Sequence, residues 1–251
     1  MILTVLALAS LLGLSYLMVS LPWLWRPLPV LRETNVGDDT VLFVSDLHLD
    51  SAESVPRGLP SLVEGTRPAT LVVVGDLLRA PRDVSSEGQL LDLVMAVLEK
   101  VDRTANLKRV LVTMSENHDP PLTKGELTLE HRGAKIMLTH DPILIEASGV
   151  RALAVHGDYF CSDGAVTATV ELLLLALGVS GATERFLRSK IGMDRNDWVV
   201  MGHTHVPMID QGHRVANCGA FHGHPMRRAS STAVLLQDGQ LRLVSGSDLH
   251  S

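Results

Sequence analysis

Cysteine is scarce in this chain. Only Cys161 and Cys218 occur in 251 residues, and neither belongs to a C-x-x-C pair. Two such residues exclude a disulfide framework and read as thiols kept reduced. Basic side chains are outnumbered, 22 Lys and Arg against 28 Asp and Glu, for a formal net charge of −6. Aromatics make up 4 % and do not interleave with a basic stripe, which argues against a nucleic-acid partner. Internal repeats and low-complexity tracts are lacking too. What remains is 46 % apolar. That argues against disorder and suffices for one large α/β domain or two small ones.

Charge is missing altogether from Met1 to Trp25. The Leu-, Val- and Ala-rich stretch Met1–Ser20 is long enough to cross a bilayer as a helix. Trp23 and Trp25 follow, where interfacial aromatics sit. A cleaved signal would need a basic n-region and a small-x-small site, and the sequence has neither. Residues 1–25 therefore read as an uncleaved, single-pass membrane anchor. Arg26 and Arg32 lie on its C-terminal side, so the positive-inside rule places the following domain in the cytoplasm. Residues 26–40, with Pro27, Pro29 and Gly37, read as a linker, and residues 41–251 as the folded domain.

Within that domain, short apolar runs end repeatedly in polar clusters. Val41–Ser45, Leu71–Val74 and Arg109–Met114 read as buried strands, with a helix over Gly88–Val101 between the second and third. Shorter strands are expected at 135–138, 152–155, 198–201, 214–217, 233–236 and 241–244, the last two joined by the turn signal Asp238-Gly239. A Leu-rich helical stretch over 165–191 breaks near Gly178–Gly181. Strands alternating with helices imply a parallel βαβ arrangement, in which ligands bind beyond the carboxyl ends of the strands.

Five clusters stand at such ends. Asp46-Leu47-His48 sets a carboxylate and an imidazole on one side of an extended segment. Gly75-Asp76 turns the backbone and presents a carboxylate. Asn117-His118-Asp119 offers a neutral oxygen and a histidine able to act as ligand or general acid. His156-Gly157-Asp158 follows. Gly202-His203-Thr204-His205 brings two imidazoles at i and i+2, a spacing suited to a transition metal.

In this order the clusters resemble the calcineurin-like metallophosphoesterase family, over Val41 to about Val244. The resemblance implies an α/β fold, a four-layer α/β/β/α sandwich, holding two divalent metal ions. It implies that Asp46, His48, Asp76 and His205 hold one ion. Asp76 would bridge, and Asn117, His156 and His203 would complete the second, with His118 as the catalytic acid. Two such ions, about 3.5–4 Å apart, clamp a phosphoryl group and activate water to hydroxide. Carboxylates, imidazoles and one amide, without thiolate, suit Mn²⁺, Fe or Zn²⁺, with Mn²⁺ preferred. The sequence departs from the family pattern twice. Glu116 stands where a glycine usually precedes the asparagine, so the turn must be made differently. Arg79 stands where an acid usually orients the catalytic histidine, which deprives His118 of that partner.

The run His156-Gly157-Asp158-Tyr159-Phe160-Cys161-Ser162-Asp163 further resembles a segment of the bacterial UDP-2,3-diacylglucosamine pyrophosphatases, as do Gly202–Pro207 and Gly219–His222. The group differs from this chain in usually having Arg where His118 stands. That resemblance implies cleavage of a diphosphate in a nucleotide-linked lipid, with 165–191 as a helical insertion that shelters acyl chains. The expectation is a membrane-anchored phosphoesterase acting on a phosphodiester or diphosphate bond in a phosphorylated small molecule or lipid-linked substrate. A generic phosphomonoesterase, protein phosphatase or nuclease on the same scaffold, or a non-catalytic metal-bound scaffold, are the alternatives.

Overall fold

Alternate side chains of the strand Val41–Val44 go to different cores. Leu42 and Val44 pack toward helices, whereas Val41 and Phe43 pack toward a second sheet, and all four are buried. Strands buried on both faces are near-continuous apolar runs, and this is why those runs were legible. In a computed structural model of the chain, the described residues are 30–246, less 57, 104–105, 163–166, 168–169, 171–173, 175–176 and 224–228, together with 13, 14, 18, 21 and 27.

These residues form two sheets. The first, seven-stranded, has the order β13-β12-β2-β3-β4-β6-β5. Its members are β2 (Val41–Val44), β3 (Thr70–Val74), β4 (Arg109–Thr113), β5 (Glu126–His131), β6 (Ala134–Thr139), β12 (Thr232–Gln237) and β13 (Gln240–Ser245). The central strands β2, β3, β4 and β6 run parallel. The second sheet, six-stranded, has the order β1-β7-β8-β9-β11-β10. It comprises β1 (Arg32–Gly37), β7 (Ile143–Ala147), β8 (Val150–Ala154), β9 (Trp198–Met201), β10 (Met208–Asp210) and β11 (Val215–Asn217).

Helices α1 (Gly58–Thr66) and α2 (Glu87–Val101) cover the outer face of the first sheet. The Ser86 hydroxyl caps α2 by accepting from the Gln89 N–H at 3.2 Å, and Leu90, Val94, Val97, Leu98 and Val101 form its buried stripe. Helix α3 (Ala182–Ile191) lies on the outer face of the second sheet, where Leu187 packs with Leu153, Val199 and Val215. Helices, sheet, sheet and helix make the expected sandwich. Asp238 and Gly239, both at positive φ (50° and 73°), close the β12–β13 hairpin as anticipated.

Residues 32–37, read as part of a linker, form β1, which pairs in parallel with β7. Polar residues on this edge strand hide its alternation, and only Val36 is buried. The anchor expected over 1–25 lies outside the described residues, apart from Gly13, Leu14, Met18 and Leu21. No helix among the described residues is long and apolar enough to cross a membrane. In the stretch 165–191, Leu172, Leu173 and Leu175 also lie outside them, while 182–191 form α3.

Candidate metal centre

The five clusters follow the carboxyl ends of β2, β3, β4, β8 and β9, so both sheets deliver side chains to one edge. Beyond the strands the first two loops stay zipped. Asp46 N–H donates to Gly75 O, His48 N–H to Asp76 O and Leu49 N–H to Leu77 O, at 3.3, 3.0 and 2.9 Å. Asp46, His48, Asp76, His203 and His205 all have left-handed backbone, with φ of 55°, 47°, 49°, 74° and 57°. Non-glycine residues pay for that conformation, and such strain gathers at functional sites. Glycines make the closeness possible. A Cβ on Gly75 would fall 2.3 Å from the His156 ring, and one on Gly202 would fall 1.6 Å from Ser45 Oγ.

The polar atoms converge in three overlapping groups: Asp46, His48 and His205; His48, Asp76 and His118; Asp76, His156 and His203. His205 Nε2 lies 3.0 Å from Asp46 Oδ1. His156 Nε2 lies 3.7 Å from Asp46 Oδ1 and 3.6 Å from Asp76 Oδ1. His48 Nε2 lies 3.6 Å from Asp76 Oδ2, and His118 Nε2 3.9 Å from the same oxygen. Asp46 is 0 % exposed and Asp76 3 %, yet Asp46 Oδ1, Asp76 Oδ1 and His156 Nε2 form no hydrogen bond. Buried carboxylate oxygens without hydrogen bonds are expensive even beside imidazoles, and a cation among them removes the expense. The donor set therefore fits divalent metal ions.

Electrostatics agree. Burial pushes Asp76 up to about 7, with the Asp46 charge adding to the rise and His156 opposing it. Burial acts to raise Asp46 as well, but His156 and His205 outweigh it and hold the carboxyl well below its ordinary value. Burial lowers His48 to about 3 and His203 to about 4, so both rings are neutral and ready to donate a lone pair. Burial works against charge on His156 too, but the carboxylates of Asp76 and Asp158 overcome it and carry the imidazole well above its ordinary value.

Asn117 belongs to the same loop as His118, and its amide nitrogen donates to the Ser162 carbonyl. Glu116 has no positive φ. Its N–H donates to Asp158 Oδ2 at 2.6 Å, and the His118 N–H donates to Ser115 Oγ at 3.2 Å, so this turn forms without glycine.

Several supporting residues had no assigned role in the sequence reading. Asp158 Oδ1 lies 3.0 Å from His156 Nδ1, the carboxylate–histidine pairing that orients metal-binding imidazoles. Asp119, buried, accepts from the N–H groups of Ser115 and Leu78 at 2.8 Å each and so ties the third loop to the second. The hydroxyl of Ser45 donates to Asp46 Oδ2, as does the His203 N–H at 3.0 Å, leaving Oδ1 for the centre. Thr167 Oγ1 lies 3.2 Å from His203 Nε2. Position within each cluster signalled Asp119 and Asp158, but nothing local signalled Thr167. His222, at the mouth, stacks edge-on with His48 at 5.4 Å.

Residues 40–239 match the calcineurin-like phosphoesterase superfamily domain, nearly the whole of the two-sheet unit. This chain belongs to that family. The family is one of phosphoesterases, and the convergent Asp and His groups of this chain are placed so that they could hold metal ions. It is 32 % identical over 129 residues to the UDP-2,3-diacylglucosamine hydrolase of Xanthomonas oryzae pv. oryzae (strain PXO99A), a match covering 49 % of each chain. The same values hold for the protein of that name from Xanthomonas axonopodis pv. citri (strain 306). The chain thus spans about half the length of the curated relatives it matches. Among solved structures, Yfce, a phosphoesterase from E. coli, is 20 % identical with a TM-score of 0.38, covering 84 % of this chain and 94 % of that one. An archaeal phosphodiesterase is 13 % identical with a TM-score of 0.37, covering 82 % and 98 %. Such loose superpositions add nothing to the assignment.

Proposed function

We propose that this phosphoesterase binds two divalent cations, Mn²⁺ by preference, and hydrolyses a phosphodiester or diphosphate bond in a nucleotide-linked lipid. Residues 1–25 would tether it to the membrane, with the catalytic domain on the cytoplasmic side. The observation that carries the metal reading is the meeting of Asp46 Oδ1, Asp76 Oδ1 and His156 Nε2, buried and without hydrogen bonds. Asp46, His48, Asp76 and His205 would hold one ion, and Asp76, Asn117, His156 and His203 the other. Bound there, the ions would supply positive charge for the phosphoryl oxygens and an activated water.

The chain's own residues do the rest. Asp158 and Ser45 fix His156 and Asp46, so the ligand atoms are placed before any cation arrives. His118 sets its Nδ1 against a carbonyl oxygen and its Nε2 toward the centre, with the ring partly open to solvent. A protonated Nε2 can pass its proton to a departing oxygen. The lipid-linked substrate draws support from the partial similarity to the Xanthomonas hydrolases and from the uncharged N-terminal stretch.

Hydrolysis of UDP-diacylglucosamine and of bis-p-nitrophenyl phosphate, with Mn²⁺ and with chelator, tests this in wild type and Asp76→Ala. Metal-dependent release of nucleotide monophosphate, lost in the variant, is the expected result. Turnover of the chromogenic ester alone would remove the lipid substrate and keep the metal centre. Absence of both, with metal bound, would sink the catalytic reading.

A further inference from the structure

The turn carrying His203 and His205 rests on a buried polar cluster reached from three elements. Thr204, between the two histidines, is 4 % exposed. Its hydroxyl donates to Glu184 Oε1 at 3.3 Å. The Asn217 side-chain amide lies 2.9 Å from Glu184 Oε1, 2.9 Å from Thr204 Oγ1 and 3.1 Å from Gly202 O, sharing its two hydrogens among them. Asn217 Oδ1 accepts from the Gly219 N–H at 2.9 Å. Glu184 and Asn217 are both 0 % exposed.

Glu184 comes from α3, one turn before Leu187, on the face that packs against the second sheet. An apolar side chain would serve packing better there, since a carboxylate with no access to water is costly unless it accepts hydrogen bonds. Its acceptor oxygen is spent on the turn that lifts His203 and His205 into left-handed backbone (φ 74° and 57°). Without that grip, the two imidazoles would relax away from Asp46 and Asp76.

We infer that Glu184 is a positioning residue for the metal centre, holding Thr204 and Asn217 so that His203 and His205 stay aimed at the cations. The inference rests on the metal reading above. It also gives the helix following Gly181 a place in the site as well as in the packing.

The test uses the full chain with Glu184→Ala, Glu184→Gln and Leu187→Ala. Mn²⁺ affinity is followed by titration, and backbone hydrogen exchange at His203, Thr204 and Val206 is followed in metal-free protein. Glu184→Ala should lose about 10- to 100-fold in Mn²⁺ affinity, the usual scale for an outer partner of a ligand, and speed exchange at the turn. Glu184→Gln keeps an oxygen that accepts the same bonds and should stay within a few fold of wild type. Leu187→Ala loosens the same helix and should lower the melting temperature with affinity and exchange at the turn unchanged. Wild-type affinity and exchange in Glu184→Ala, an equal loss in Glu184→Gln, or the same losses in Leu187→Ala would each overturn the inference. If Glu184→Ala does not fold, Thr204→Val removes the hydroxyl that the carboxylate holds and carries the same expectation. A wild-type chain that takes up no Mn²⁺ defeats the metal reading, while hydrogen exchange still decides whether Glu184 holds the turn.

Discussion

The imidazole Nδ1 of His118 lies 2.7 Å from the main-chain carbonyl oxygen of Arg79. A carbonyl accepts only, so Nδ1 carries the hydrogen and Nε2 faces Asp76 Oδ2 at 3.9 Å. The Arg79 guanidinium turns elsewhere, to within 3.5 Å of Asp50 Oδ2. The backbone thus supplies an orienting acceptor that the side chain at this position cannot.

Orientation by a carbonyl does not depend on the side chain. Arg79→Ala should therefore leave turnover within about threefold, whereas His118→Ala should cost about 10²–10⁴-fold on a substrate with a basic leaving group. The loss should be far smaller with p-nitrophenolate, which departs without a proton. Turnover of the two ester types by both variants checks this, and equal losses in Arg79→Ala and His118→Ala would contradict it.

Close approach makes Gly202 irreplaceable. A Cβ there would lie 1.6 Å from Ser45 Oγ and 2.6 Å from Asp46 Oδ2. Gly202→Ala should push the Asp46 and His203 loops apart and destabilise the fold by about 1–3 kcal/mol, with weakened metal uptake. Gly246→Ala, into open space at ordinary φ, is the neutral comparison. Denaturant unfolding and Mn²⁺ titration of both variants measure the contrast.

Metal uptake should depend on pH. In the metal-free chain Asp76 is raised to about 7 by burial, and His156 stands above its ordinary value despite burial because Asp76 and Asp158 face it. A cation must displace those protons, so affinity should rise with pH through about 7, by about tenfold per unit for each proton displaced. The sign for stability is opposite. An Asp76 pKa raised above the unfolded value of about 3.9 makes the metal-free fold lose stability as pH climbs from about 4 to 7. Calorimetry in two buffers at pH 6, 7 and 8 reads the proton release, and a pH-independent affinity would exclude it.

Chelation should lower the melting temperature. A ligand at a hundredfold excess over its Kd adds about 2.7 kcal/mol to the folded state, and for a domain of this size each kcal/mol shifts the melting point by about 2–4 °C. Scans with Mn²⁺ and with chelator should differ by about 5–10 °C in wild type. The difference should vanish in Asp76→Ala.

Much of this protein is written locally. The central strands are apolar on both faces, so β2, β3 and β4 appear in the sequence as unbroken runs. Each ends in a polar cluster, and the ligand candidates could be named from the order of those clusters and their resemblance to a known family. Edge elements were less legible. The strand Arg32–Gly37 buries only Val36, and its polar residues conceal a partner, β7, that lies more than a hundred positions away. Glu184, Asn217 and Thr167 carried no local signal, because a single polar residue acquires meaning only from what faces it. The turn around Glu116, the carbonyl that holds His118 and the steric need for Gly202 likewise come from segments far apart in the chain. Side-chain type and periodicity are properties of neighbours in sequence, whereas hydrogen-bond partners and excluded volume are properties of neighbours in space.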